Sequence, residues 1–171
     1  MRLTTRLLTA LALGLAPLAA PSVAAPAAVT DAACTPAQMR VTLGPANGAA
    51  GTIYYPIVFT NVGGTCAIWG VPTVQPVAAR RHRVGPPALS MSRGMMPARH
   101  VLTHGRAVSD PFGAAETGNY PASLCGARRA SGVVVTLAPF VRSTYVRLPI
   151  SVCTRQASTR TALIVPGRTG A

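Results

Sequence analysis

An all-β fold is what this sequence predicts: an antiparallel β-sandwich stapled by two disulfides and preceded by a cleaved signal peptide. Three observations lead there. Beyond residue 24 no segment carries a helical apolar period, whereas short runs of β-branched and aromatic residues recur between Gly/Pro turns. Cys34, Cys66, Cys125 and Cys153 all fall in that part of the chain, an even count that suits two disulfides in an oxidising compartment. The N-terminus has the order of a secretory signal: Arg2 and Arg6, then an apolar run from Leu7 to Leu18, then small residues ending at Ser22-Val23-Ala24.

Taken in order, residues 1–24 are the expected signal peptide, 25–33 a flexible Ala/Pro-rich leader, 34–166 the sandwich domain and 167–171 a C-terminal tail. The apolar run is too short for a permanent membrane span, and nothing later is long and apolar enough to be one. Cys34 lacks the leucine three residues earlier that a lipid-anchored cysteine needs, so no acyl anchor is expected.

Met39, Val41 and Leu43 alternate with Arg40 and Thr42, which reads as a strand with one apolar face. Gly44–Gly51 reads as a loop. Thr52–Thr60 is a stronger strand, with an edge or a bulge at Pro56, which has no backbone donor. Asn61–Gly64 marks a turn, and Cys66–Val77 a third strand broken by Gly70 and Pro72. One or two short strands are expected in Val101–Val108 around Gly105, then Val133–Leu137 and Tyr145–Val152, and a last short one at Ala162–Val165. Two long stretches, Ala78–His100 and Ser109–Leu124, fit no strand, and long loops in small domains tend to be functional or disordered.

Strand order also suggests the disulfide pairing. Cys34 lies just before the first strand and Cys66 just after the second, and an antiparallel pair brings those ends together. Cys125 and Cys153 repeat the arrangement around Val133–Leu137 and Tyr145–Val152. Cys34–Cys66 and Cys125–Cys153 are therefore expected.

The charge balance is lopsided, with 16 basic residues, all arginine, against 3 acidic ones and a net charge of +13. Loss of Arg2 and Arg6 with the signal peptide lowers that only slightly. GC-rich codon usage accounts for arginine over lysine, but not for the scarcity of acids. Such an excess favours anionic partners. Its densest run, Arg80-Arg81-His82-Arg83, falls in the first long loop, and guanidinium forks suit phosphate and carboxylate groups. Arg80, Arg81 and Arg83 are the candidate anion-binding residues. For an exported chain nucleic acid is not the natural partner; an anionic envelope polymer, a lipid headgroup or another protein is.

No catalytic reading emerges. The chain has no G-x-S-x-G, no H-E-x-x-H and no neighbouring carboxylates, so no enzyme and no cofactor are expected. The alternative is a Cu(I) site in the Met/His-rich loop, from Met91, Met95, Met96 and His100, since thioether and imidazole suit that ion. An extended His100–His104 segment would hold its two rings about 13 Å apart, too far for a single ion.

Several blocks resemble a known family. Gly48-Ala49-Ala50-Gly51-Thr52-Ile53-Tyr54-Tyr55, Phe59-Thr60-Asn61-Val62-Gly63-Gly64-Thr65-Cys66 and Trp69-Gly70-Val71-Pro72 are similar to the opening of the family catalogued as domain of unknown function 4232. Leu102–Ala107 resembles a later pattern, with His104 in place of a proline. The resemblance spans roughly residues 34–165 and implies an immunoglobulin-like sandwich in an exported or lipid-anchored actinobacterial protein. It carries no activity and assigns no catalytic residue. The resulting expectation is a secreted or cell-wall-associated, non-enzymatic binding module.

Overall fold

The computed structural model describes residues 31–138 and 142–171. The expected signal peptide, and the leader as far as residue 30, lie outside the described residues. Residues 31–33 pair with the domain: Ala67 N donates to Ala32 O, and Cys34 N donates to Ala67 O.

Along the chain, β1 (Met39–Leu43) is followed by β2 (Asn47–Ala49), β3 (Thr52–Tyr54) and β4 (Ile57–Asn61). The expected Thr52–Thr60 strand is thus two strands, split at Tyr55-Pro56. They belong to different sheets, so the proline marks the place where the chain passes from one to the other. β2 lies inside the stretch expected as a loop; it is wholly exposed and held by backbone pairing to β3, which leaves no apolar pattern to read. β5 (Cys66–Ile68) and β6 (Thr73–Val77) flank the Gly70/Pro72 break.

The first long loop contains only the two-residue β7 (Leu89–Ser90) and a 3-10 turn. Then come β8 (His100–Leu102), β9 (Ala107–Asp110) and β10 (Gly113–Ala115). A single helical turn, α1 (Ala122–Cys125), was not expected. It is closed by Gly126 in the left-handed region at φ 59° and delivers Cys125 to its partner. The longest strands are β11 (Ala127–Thr136) and β12 (Thr144–Cys153), followed by β13 (Thr159–Thr161) and β14 (Val165–Pro166). The expected strand at Ala162–Val165 is displaced, because the buried strand residues there are Thr159 and Thr161, which an apolar pattern passes over.

The strands form sheets in the orders β1-β4-β9-β14, β2-β3-β10-β13-β7, β12-β11-β6 and β5-β8, antiparallel throughout except for β7 with β13. Inner residues of the first and third of these, Ile57, Phe59 and Val108 against Val133, Val146 and Leu148, share one buried cluster, so the β-sandwich architecture is as expected. Disulfides join Cys34 to Cys66 and Cys125 to Cys153, the pairing that the strand order suggested. Met39 pairs with Asn61 and Ala127 with Cys153, so each bridge sits at the end of an antiparallel ladder.

The margins of the sheets carry prolines. Pro149 stands on β12 beside a register shift between Ala130 and Gly132 of β11; Pro76 is on β6 and Pro166 on β14. The free side of β6 is covered by its own loop: Val84 N donates to Pro76 O and Ala88 N to Val74 O.

Candidate functional site

Beyond β6 the chain makes a tight loop, closed by a bridge between Val77 and Arg83 and by Ala78 N donating to His82 O at 2.7 Å. Within it Arg80 and Arg81 both have positive φ, 54° and 60°. Non-glycine residues adopt that conformation at a cost. Here it turns the basic run outward, and Arg80, Arg81, His82 and Arg83 are all exposed. The Arg81 guanidinium lies 5.9 Å from the ring centroid of Tyr145 on β12, at the outer reach of a cation–π contact.

Arg81 and Arg83 border a groove of about 430 Å³ across β6 and β11, with Thr73, Gln75, Thr136 and Ser143 among its other walls. Arg80 does not border it, so the structure brings two of the three expected arginines together and leaves the third aside. Hydroxyl and amide groups beside two guanidinium forks suit a polar, anionic ligand.

Tyr145 is placed by Gly132. The ring crosses the glycine, and its hydroxyl donates to Ser131 O at 3.1 Å. A Cβ at position 132 would sit 2.6 Å from Tyr145 Cε2 and would also strike the Val146 carbonyl. Gly132→Ala should therefore cost about 2 kcal/mol by overpacking and displace the ring beneath Arg81. Denaturant unfolding checks the first effect, and the tyrosine's ring chemical shifts the second; an unchanged variant would show that the ring is not held there.

The residues of the copper alternative lie elsewhere. Met91, Met95 and Met96 are exposed, whereas His100 is half-buried with Nε2 3.1 Å from Ile164 O. That nitrogen is already engaged, so metal binding through it requires breaking a bond to the backbone that links β13 to β14. Among the described residues no group of three or more His, Cys, Asp or Glu is placed to hold a metal ion.

A second basic surface escaped the reading of the sequence. Arg99, Arg106 and Arg168, with His100 and Val101, border an open cleft of about 620 Å³ between β8, β9 and β14. Arg168 belongs to the expected tail, whose backbone is docked by Gly167 N to Ala107 O and Gly170 N to Ser109 Oγ. The three positions are scattered along the chain, and no local run announces them.

Residues 34–165 match the family described as Domain of unknown function (DUF4232). No curated protein and no solved structure matches the chain.

Proposed function

This chain belongs to the DUF4232 family, and from that premise we propose that it is an exported, non-enzymatic binding module of the cell envelope or extracellular space. Its partner is an anionic polymer, held in the groove beside Arg81 and Arg83. The observation that carries this reading is that Arg81 and Arg83 border one groove, whose other walls mix Thr73, Gln75, Thr136 and Ser143 with Val77, Pro87 and Val134, on a sheet whose far end is fixed by the Cys125–Cys153 bridge. Binding residues on loops above a rigid base are a common arrangement. Export is supported by two disulfides, which persist in oxidising compartments, and no helix among the described residues is long and apolar enough to cross a membrane.

Affinity for a soluble poly(glycerol phosphate) should fall steeply with salt, since screening shortens the Debye length to about 8 Å at physiological ionic strength. Arg80, Arg81 and Arg83 changed together to serine should weaken binding about tenfold or more, and Arg80→Ser alone far less, because Arg80 stands outside the groove. Titration calorimetry across a salt series reads both. A folded triple variant that binds as well as wild type would reduce the loop to a solvated charge run.

A further inference from the structure

We propose that the Arg99/Arg106/Arg168 cleft and the adjoining Leu89–Val101 loop together form a docking surface for a bilayer of anionic phospholipids. The guanidinium groups would meet headgroup phosphates while the methionines enter the interface. The residues that line this cleft are distinct from those that line the Arg81–Arg83 groove, and the proposal does not depend on that groove.

The first observation is where the exposed apolar side chains fall. Seven large ones are exposed among the described residues, and five of them, Leu89, Met91, Met95, Met96 and Val101, lie within one segment, with Met96 91 % exposed. Single exposed apolar residues are ordinary, but a concentration of them marks an interaction surface. Methionine is flexible and adapts to an irregular surface such as the headgroup boundary.

The second is the charge beside them. Arg93 and Arg99 belong to the same segment, and no carboxylate occurs in the chain between Asp31 and Asp110. Two of the cleft's arginines are oriented by neutral groups. Arg168 donates to Thr60 Oγ1 at 3.2 Å and to Gly105 O at 3.4 Å. Arg99 stacks over Trp69, 4.5 Å from the ring centroid, and donates to the backbone carbonyl of Asp31. Both are held in place while their charge stays available to an anion.

Third, the two features are continuous. Val101 is half-exposed and also borders the cleft. Met96 is three residues from Arg99, so their Cα atoms are no more than about 11 Å apart. A free polyanion would use the arginines and leave the methionines without a partner. A bilayer surface takes both, by electrostatic attraction and shallow apolar insertion.

The test is co-sedimentation of the secreted protein with vesicles of phosphatidylglycerol and phosphatidylcholine, against phosphatidylcholine alone, over a salt series. Binding should require the anionic lipid. Arg106→Ser with Arg168→Ser should lower partitioning roughly tenfold or more, at about fivefold per arginine. Met95→Ser with Met96→Ser should lower it severalfold and leave the salt dependence unchanged. All four side chains are exposed, and circular dichroism confirms that each variant is folded. The Arg80/Arg81/Arg83 serine variant should lose less than the Arg106/Arg168 variant. Absence of binding to anionic vesicles at low salt would overturn the proposal. So would indifference to both double variants, or a methionine variant that binds vesicles as well as wild type, which would assign the cleft to a soluble phosphate polymer.

Discussion

Folded stability should fall by about 4 kcal/mol between pH 4 and pH 8, and Asp110→Asn should remove most of that fall. Asp110 ends β9 with no solvent exposure, and burial pushes its carboxyl from the usual 3.8 up to about 7, against the hydrogen bonds that it accepts. The surrounding geometry suits the neutral acid. Thr161 Oγ1 stands 2.6 Å from Asp110 Oδ2 and 3.2 Å from Pro72 O, and Ala162 N donates to Oδ1 at 3.0 Å. The threonine hydroxyl has one proton. If Oδ2 is protonated it donates to Thr161, which donates onward to Pro72, and every group is matched. If Asp110 is ionised, the carboxylate and the Pro72 carbonyl compete for the same proton.

Because the folded-state value lies above the unfolded one, the native protein holds the proton where the unfolded chain has released it. Stability is therefore unaffected below about pH 4, declines as pH rises, and levels off above about 7. About three pH units at roughly 1.4 kcal/mol each give the stated fall. In the Asp110→Asn variant the side-chain amide nitrogen could donate where the acid donates through Oδ2. That variant should therefore be close to wild type at pH 4 and the more stable of the two at pH 8. The difference in melting midpoint at pH 8 should be roughly 10 °C. Parallel stability curves for the two proteins, measured by thermal or urea unfolding, would mean that the carboxyl is ionised and satisfied in the fold.

Asn61→Ala should cost about 3 kcal/mol or more. The side chain is fully buried at the end of β4 and uses its hydrogen-bonding groups on backbone: Nδ2 donates to Gly64 O at 2.9 Å and to Leu102 O at 2.7 Å, and Oδ1 accepts from Gly63 N at 2.8 Å. It thereby ties the turn after β4 to β8. Alanine leaves those three backbone groups short of a partner, at about 1–3 kcal/mol for each one that water cannot reach. Asn61→Asp separates this from loss of volume: the shape is kept, but an acceptor then faces two carbonyl oxygens. It should destabilise at neutral pH at least as much as alanine does. An Asn61→Asp protein with wild-type unfolding would show that the network contributes little.

Asn61 also explains why the Thr60–Cys66 block is so recognisable. Gly63 packs close enough to Gln38 that a Cβ would stand 2.7 Å from its Cγ, and Cys66 anchors β5 to the N-terminal end of the domain. The most legible motif in the chain therefore specifies a turn and its staple, and says nothing of a ligand. Elements were readable where side chains alternate, as in β1 and β12, or where a breaker interrupts them, as at Gly70 and Pro72. They were not readable where backbone alone does the pairing, as in β2, or where buried threonines replace aliphatic residues, as in β13 beside Asp110. The single turn of α1 is too short to carry a period and is defined at its end by Gly126. The same distinction divides the basic surfaces: Arg80–Arg83 is contiguous and visible, whereas Arg99, Arg106 and Arg168 meet only because β8, β9 and the C-terminal segment do.

The prolines along the sheet margins bear on how copies of this protein meet one another. An unpaired strand edge is a template on which a neighbour's strand can form, and β12, ten residues long, is the longest such edge here. Pro149 removes a donor from its middle, and exposed Arg147 sets a charge two positions earlier. The edge of β6 is occupied by the chain's own 83–88 segment, and β14 is two residues long, one of them Pro166. None of these three edges offers an uninterrupted ladder to a second molecule. Intermolecular β-pairing along these three edges would have to start from opened chains.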